Sequence, residues 1–279
     1  MMSPAARRLL RRKSAVVGLG LVLAFTVLAL AVPLLPLAEP NQVDTTQRLK
    51  PPFASAHPLG TDEFGRDILS RLFWGCRPSL GAGVGAALLA MAAGVPIGLA
   101  AGYLRGTTDH VLMRGIDILM AFPYVLLAIA LVAAFGPGIR NATLALSIVG
   151  IPLYARLTRG AVLSIRERDY VEAARALGMW EGRIMWRHVL PNAIPPVVVA
   201  TTLDIGFKIV ATAGLSFLGL GVQPPAADWG SMLASGRNFV GLASHVATLP
   251  GIAILLVALG FNLFGDGLRD VLDPTMRTT

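Results

Sequence analysis

Six long apolar runs, separated by shorter polar stretches, are the feature that most limits the folds open to this chain. Each run holds about 20 residues, which is the length that a helix needs to cross a bilayer. Charged residues make up 14% of the chain, against about 25% in ordinary soluble domains. A single core cannot bury so much apolar side chain, so the sequence predicts an all-α polytopic membrane protein with about six transmembrane helices.

The predicted organisation follows the boundaries of these runs. A basic N-terminus at 1–13 precedes the first run, an order that also fits a cleavable signal peptide ending near Ala38. Because a signal peptide has an apolar stretch of only about 7–15 residues, we expect an uncleaved first span. The predicted spans are 14–37, 80–104, 116–135, 142–163, 193–220 and 246–264. The predicted extramembranous segments are the loops 38–79 and 221–245 on one side, and the loop 164–191 and the tail 269–279 on the other.

The basic residues indicate which side of the membrane faces the cytoplasm. Six spans place both termini and the loop 164–191 on one side, which holds about 16 arginines and lysines. The other side holds about seven, five of them in the long loop 38–79. Because arginine and lysine accumulate in short cytoplasmic loops, we expect both termini and the loop 164–191 in the cytoplasm. This bias accounts for the net charge of +8, so nucleic acid is not expected as a partner.

The loop 164–191 has the pattern of a short helix, a bend and a second helix. Its first part reads RERDYVEAAR, which contains good helix formers and no glycine or proline. On a helix, Arg168, Glu172 and Arg175 share one face. A small apolar face has the spacing i, i+3, i+4 and i+7, and comprises Tyr170, Ala173, Ala174 and Leu177. Gly178 then permits a left-handed bend that residues with a Cβ adopt at a cost.

Two interpretations fit this loop. It is either a docking helix for a cytoplasmic partner, whose backbone can approach the two alanines closely, or a helix lying on the lipid headgroups. In the second interpretation Trp180 and Trp186 are the interfacial anchors.

Several stretches of the chain are similar to the permease subunits of ATP-binding-cassette (ABC) importers. The signature of that family is matched by Glu172, Ala173 and Ala174, then Gly178, and then HVLP at 188–191. The stretch HPLGTDEFGRDILSRLFWGCRPSL at 57–80 resembles the segment before the permease core in dipeptide, oligopeptide and nickel importers. LSFLGLGVQPPAADWGSML at 215–233 and GDGLRDVLDP at 265–274 resemble the end of the C-type subunit.

The resemblance implies a permease core at 80–268 and a machine of several subunits. A homologous second permease would complete the pathway, two ATPase subunits would dock in the cytoplasm, and an extracytoplasmic binding protein would deliver the substrate. The coupling role would fall on Glu172, Ala173, Ala174, Arg175, Leu177 and Gly178. The expected location is the cytoplasmic (inner) membrane of a bacterium or archaeon. Di- or oligopeptides are the expected cargo, with nickel, glutathione or another small solute as alternatives.

The chain has no phosphate-binding loop of the kind that hydrolyses ATP. No G-x-x-x-x-G-K-[ST] run occurs, and none of the three lysines, Lys13, Lys50 and Lys208, follows a glycine. We therefore expect no cofactor in this chain, with ATP and magnesium bound by the partner ATPases. The four histidines have no metal-ligand spacing. Two other classes remain open, a secondary transporter or channel driven by an ion gradient, and an intramembrane enzyme.

Asp204 and Lys208 are charged residues within the fifth predicted span. They are spaced i, i+4, so an ion pair between them would lower the cost of placing both charges in the bilayer. One interpretation places them on the substrate path, where opposite charges could meet a zwitterionic peptide. The other is an internal pair, or a lysine that reaches polar backbone elsewhere in the bundle.

The charged stretch 61–71 in the first long loop is a second candidate site. Asp67 and Arg71 are spaced i, i+4 and suggest a short amphipathic helix along the outer face of the membrane. The family resemblance implies a docking surface for the binding protein or the partner permease, formed by Asp62, Arg66, Asp67 and Arg71. The alternative is a helix that only holds the outer rim of the bundle.

Overall fold

The computed structural model describes residues 12–54 and 56–272, which are largely helical. Five helices in that part are long and apolar enough to cross a membrane, and a sixth span is obtained if one bent helix pair crosses as a unit. The described residues contain no β-strand, and only Thr61 and Asp67 form an isolated bridge. The predicted all-α fold with about six spans is confirmed.

Ten α-helices follow one another in the described residues. They are α1 (Lys13–Ala31), α2 (Ile68–Leu104), α3 (Gly106–Met120), α4 (Tyr124–Phe135), α5 (Ile139–Ile165), α6 (Asp169–Ala176), α7 (Glu181–Ile184), α8 (Leu190–Phe217), α9 (Trp229–Gly236) and α10 (His245–Leu272). A π-helical turn, Met185–Val189, joins α7 to α8. The predicted tail 269–279 therefore begins inside α10, and 273–279 lies outside the described residues, as does most of the predicted N-terminus 1–13.

Helix α2 begins twelve residues before the predicted start of the second span at 80. The short helix expected over 61–71 is wrong, because a tight loop occupies 61–67 and the helix starts only at Ile68. Asp62 turns that loop by accepting hydrogen bonds from the backbone N–H groups of Phe64 (2.9 Å) and Arg66 (3.0 Å). The Asp67 side chain then caps α2 by accepting from the Ser70 N–H at 2.7 Å.

The third predicted span, 116–135, is not one straight helix. Helices α3 and α4 meet at 89° across residues 121–123. Pro123 lacks a backbone N–H, and its ring disfavours the helical conformation of the residue before it. Ion pairs hold α3 against α5, where Arg159 contacts Asp109 at 2.6 Å and Arg156 contacts Asp117 at 2.7 Å.

Small residues allow α2 and α5 to pack backbone to backbone. Gly94, Gly98 and Gly102 recur every four residues on the face of α2 that meets α5. A Cβ on Gly94 would lie 2.7 Å from the Ile151 carbonyl oxygen, and one on Gly102 would lie 2.9 Å from that of Arg159. Small residues at such contacts are typical of membrane helices, where close van der Waals packing drives association.

Each end of α2 contacts a different segment that lies outside the membrane-spanning helices. Near its N-terminal end, Ser70 Oγ donates to the Ala38 carbonyl at 2.5 Å, which holds the first loop (residues 35–67) in place. At its C-terminal end, the Tyr103 hydroxyl donates to the Glu181 carboxylate in the segment around α6 and α7. With 37 residues, α2 spans about 55 Å at 1.5 Å per residue. The first loop and α6 therefore lie at opposite ends of the bundle.

Candidate functional site

Helix α6 ends in a left-handed glycine, as the sequence predicted. Gly178 has φ +77°, and its N–H donates to the Arg175 carbonyl at 3.0 Å. The Met179 N–H donates to the Ala174 carbonyl at 3.2 Å. These two bonds form a Schellman motif, which satisfies carbonyl groups that the helix end leaves free. The chain then reverses into α7.

The predicted apolar face of α6 is divided between the bundle and solvent. Val171 and Ala174 are buried in a cluster with Tyr103 of α2, so Ala174 does not belong to the exposed face. Val171 was not among the predicted site residues; it lies three residues before Ala174, so the two buried side chains share the side of α6 that faces the bundle. Of the predicted face, Tyr170 (45% exposed), Ala173 and Leu177 (86%) are exposed, and Trp180 (77%) is exposed just beyond the helix.

The exposed side of α6 is here named the α6 surface and comprises Tyr170, Glu172, Ala173, Leu177 and Trp180. The Glu172 carboxylate forms no ion pair with any side chain in residues 12–54 and 56–272. Neighbouring large apolar side chains that are exposed together are typical of an interaction site.

The segment that carries the α6 surface is fastened firmly to α2. Glu181 accepts from the Arg175 Nε at 2.8 Å and from the Tyr103 hydroxyl. The Arg175 pKa is raised above its ordinary value mainly by the hydrogen bond to Glu181. Arg166 donates to the Tyr103 carbonyl. Arg175 thus joins α6 to α7, and Glu181 joins α7 to the end of α2.

The π-helical turn before α8 is a feature that the sequence analysis missed. The Leu190 N–H donates to the Met185 carbonyl, five residues earlier. The sequence signal is Pro191, which lacks the N–H needed to continue the ordinary helical ladder. Such turns are frequent at functional sites. This one lies where the α6–α7 segment connects to a membrane-spanning helix.

A cavity of about 980 Å³ lies between the α3–α4 bend, α5 and α8. Its wall includes Phe122 and Tyr124 at the bend, Leu153 of α5, and Asp204 and Lys208 of α8. The lining is mainly apolar, with a few polar groups, as in many sites for small molecules.

The predicted pair of Asp204 and Lys208 is present on this wall, but its two charges are not in direct contact. The Lys208 Nζ lies 3.9 Å from Asp204 Oδ1. It donates instead to the Tyr124 hydroxyl and to the Leu146 carbonyl, both at 2.8 Å. Asp204 accepts from the Tyr154 hydroxyl at 2.9 Å. The two charged side chains of α8 thus form hydrogen bonds with groups of two other helices, α4 and α5, which lowers the cost of burying them.

Two tyrosines and a glycine that were not predicted from the sequence complete this site. A Cβ on Gly150 would lie 2.5 Å from Lys208 Nζ, so the glycine leaves room for the ammonium group. Tyr124 and Tyr154 are 84 and 50 residues from their partners in sequence. A local sequence pattern cannot predict contacts between residues so far apart along the chain.

The charged residues of the first loop form a buried network rather than an exposed helix. Asp62, Arg66, Asp67 and Arg71 are each less than a tenth exposed. Arg66 Nε donates to Asp62 Oδ2 at 2.6 Å, and Arg71 Nη1 donates to the carbonyl of Pro40 at 3.0 Å. These buried side chains tie the loop to the rim of the bundle, and their part in docking a partner stays a prediction. In the described residues, no group of three His, Cys, Asp or Glu side chains could hold a metal ion.

The fold and these sites define a multi-pass membrane protein with an open, mainly apolar cavity among its helices and a helical segment exposed at one end of the bundle. Residues 94–278 match the family described as binding-protein-dependent transport system inner membrane component. Residues 2–52 match the N-terminal transmembrane domain of oligopeptide transport permease C. The chain belongs to this family of inner-membrane permease components, and the resemblance found in the sequence is confirmed.

Curated relatives are similar over nearly the whole chain. The dipeptide transport system permease protein DppC of Alkalihalophilus pseudofirmus is 44% identical over 98% of this chain and 90% of its own length. The glutathione transport system permease protein GsiD of Pectobacterium atrosepticum is 45% identical over 98% of this chain and 90% of its own length. The probable D,D-dipeptide transport system permease protein DdpC of Escherichia coli is 47% identical over 85% of this chain and 79% of its own length.

Solved structures share the fold. A chain from an inward-facing conformation of the MetNI methionine ABC transporter has a TM-score of 0.61 and 20% sequence identity. The match covers 73% of this chain and 97% of the transporter chain. A second crystal form of the same transporter gives a TM-score of 0.60 with the same identity and coverage.

Proposed function

We propose that this protein is the permease subunit that forms half of the pathway through which an ABC importer carries di- or oligopeptides. Separate ATPase subunits would bind ATP and magnesium and supply the energy, and a homologous permease would form the other half of the pathway. Two of the relatives are named for dipeptides and one for glutathione, which is itself a small peptide. The peptide class is therefore favoured over nickel.

The observation that carries this proposal is the α6 surface. Glu172, Ala173 and Gly178 of the importer signature lie on or beside exposed apolar side chains, at the opposite end of α2 from the first loop. We infer that this surface sits in a groove of an ATPase subunit, and that Arg175 and Ala174 hold α6 to the bundle behind it. Closure of the ATPases would then move α6, α7 and the end of α2 together and shift the bundle between inward- and outward-facing states.

The orientation and the substrate path follow from the same proposal. The α6 surface and both termini would lie in the cytoplasm, and the first loop would face the binding protein on the other side. The cavity of about 980 Å³ would lie on the substrate path, with Asp204 and Lys208 setting its polarity. Lys208 is fully buried, so it would act by positioning Tyr124, to which it donates, rather than by touching the substrate.

The test is uptake of a labelled peptide mixture into proteoliposomes that hold the full complex and its binding protein. We expect uptake to require ATP hydrolysis and the binding protein, and to persist when ion gradients are collapsed. Uptake driven by an ion gradient without ATP would instead support a secondary transporter. ATP-dependent uptake of nickel without uptake of peptide would support an ABC importer but contradict peptides as its substrate.

A further inference from the structure

The helical segment that leads into α8 has two unlike sides. Ile184 and Val189 are fully buried in a cluster with side chains of α2 and α5. They are five positions apart, and a π-helical turn, whose hydrogen bonds join residues i and i+5, brings such positions to the same side. Arg183, Trp186 and Arg187 are exposed on the other side. These three residues are here named the Arg–Trp surface.

The two guanidinium groups of the Arg–Trp surface are not neutralised within the chain. Neither Arg183 nor Arg187 forms an ion pair or a side-chain hydrogen bond in residues 12–54 and 56–272. Glu181 is the only acidic residue between positions 181 and 192. Its carboxylate already accepts from the Arg175 Nε at 2.8 Å and from the Tyr103 hydroxyl. Two positive charges therefore remain uncompensated at the start of the span.

The length of the span places the Arg–Trp surface near the lipid headgroups. Residues Glu181–Phe217 form one candidate span of 37 residues, which is about 55 Å long at 1.5 Å per residue. A bilayer is about 40–45 Å thick with its headgroups and about 30 Å without them, so part of the span extends beyond the hydrocarbon. Arg187 precedes Ala193, where the predicted apolar run begins, by about 9 Å along the helix axis. An arginine side chain is long enough to reach the headgroup phosphates from there.

The chemistry of the three side chains matches an anionic phospholipid. A guanidinium group binds phosphate through two parallel N–H donors. Arg183 and Arg187 are four positions apart, about one helical turn, so both can approach one phosphate. Trp186 is 59% exposed, and tryptophan is enriched at membrane interfaces because its ring is apolar while its N–H is polar. A phospholipid presents a negative phosphate beside an apolar glycerol and acyl region, and so offers a partner to all three side chains.

The position of the Arg–Trp surface favours lipid over a protein partner. The α6 surface comes earlier in the chain, before the reversal at Gly178, and it carries the carboxylate of Glu172. The Arg–Trp surface has no acidic member and lies directly before the apolar part of α8. Basic residues beside a spanning helix are drawn to the anionic lipids of the cytoplasmic leaflet. The two surfaces therefore suit different partners.

We propose that the Arg–Trp surface binds the phosphate group of an anionic phospholipid in the cytoplasmic leaflet, with Arg183 and Arg187 as ligands and Trp186 against the glycerol region. The lipid would hold the start of α8 at the membrane surface while the α6 surface contacts the ATPase. The inference goes beyond the proposed function, because it does not depend on which substrate crosses.

Photochemical crosslinking identifies what covers this surface. The full complex is reconstituted in a mixture of phosphatidylcholine and phosphatidylglycerol, with a benzophenone side chain in place of Trp186. We expect mass spectrometry to find phospholipid attached to this position, with phosphatidylglycerol enriched over its share of the bilayer. The matched control carries the same benzophenone in place of Leu177, an exposed residue of the α6 surface. That position should attach to an ATPase subunit instead.

The charge requirement is tested in the same crosslinking assay. A basic side chain near an anionic membrane surface strengthens binding about fivefold. We therefore expect Arg183→Gln/Arg187→Gln to lower the ratio of attached phosphatidylglycerol to phosphatidylcholine by about 25-fold. Arg183→Lys/Arg187→Lys keeps the charges and should retain most of the preference. Arg114→Gln is a control, since Arg114 is an exposed arginine of α3 with no ion pair in the described part of the chain. It should leave the ratio unchanged, and melting temperatures check that each variant folds.

The outcomes separate this inference from the proposed function. Attachment of position 186 to an ATPase subunit rather than to lipid would overturn the inference and assign the Arg–Trp surface to that subunit. An attached-lipid ratio that Arg183→Gln/Arg187→Gln does not change would overturn it as well, because the arginines would then select no headgroup. Lipid attachment at position 186 without ATPase attachment at position 177 would support the inference and contradict the proposed role of the α6 surface.

Discussion

Lys208 links three helices through one ammonium group, since it extends from α8 to Tyr124 of α4 and to the Leu146 carbonyl of α5. Lys208→Met keeps most of the volume but leaves Asp204 buried without its nearby cation. We expect it to lower the free energy of unfolding in detergent by about 3 kcal/mol. The double variant Lys208→Met/Asp204→Asn should recover part of that loss. If the two substitutions change the free energy of unfolding additively, the two charges do not interact.

Gly178 tests the bend that presents the α6 surface. A side chain at φ +77° is strained, so Gly178→Ala should destabilise the α6–α7 segment by about 1 kcal/mol. Gly115→Ala in α3 is the matched control, because a Cβ there meets nothing within 4 Å and φ is not in the left-handed region. That control should be neutral or slightly stabilising. Hydrogen exchange of the α6 amides measures the difference, and equal protection in the two variants would contradict the account.

At the scale of elements, the contact between α2 and α5 depends on glycine. Gly98→Leu would push its side chain into the backbone around Ala155 and should destabilise the bundle by about 3 kcal/mol or prevent assembly. Gly81→Leu lies on the same helix, where a Cβ meets nothing within 4 Å, and should be tolerated. Thermal unfolding in detergent compares them. A Gly98→Leu variant as stable as Gly81→Leu would show that the two helices pack less closely than described.

Helix positions could be predicted where apolar runs are long, and could not be predicted where tertiary contacts override the pattern. Residues 68–79 read as loop because they include Ser70, Arg71 and Arg77, yet the first loop buries two of these side chains and α2 starts there. Pro123 is a local sequence signal for the bend between α3 and α4. The apolar run that contains it has the length of one ordinary span, so the run predicts a single straight helix.

Some features of the candidate site could be predicted from the sequence, and others depend on tertiary contacts. The helix, the bend at Gly178 and the exposed Leu177 could be predicted because they depend on neighbours in sequence. The burial of Ala174 could not, since it depends on the contact with Tyr103 of α2. The partners of Lys208 likewise come from segments that only the fold brings together.

At the scale of the whole molecule, the two ends of α2 carry the two proposed interfaces. The α6 surface would contact the ATPase and the first loop would face the binding protein, with the cavity of about 980 Å³ between them. Because α2 is packed along α5 by close glycine contacts, both helices would move as a unit when either end is displaced. This arrangement would connect ATP hydrolysis on one side to delivery of substrate on the other.

The most direct test of this account is the effect of Glu172→Lys on the assembled complex. ATPase co-purification and ATP-dependent peptide uptake are measured for the wild type, for Glu172→Lys, and for Asp266→Lys, an exposed charge reversal outside α6. We predict that Glu172→Lys inserts in the membrane but loses both ATPase association and uptake by at least about tenfold, while Asp266→Lys retains both. Unchanged association and uptake in Glu172→Lys would contradict the account, and would indicate that α6 only lies on the lipid headgroups.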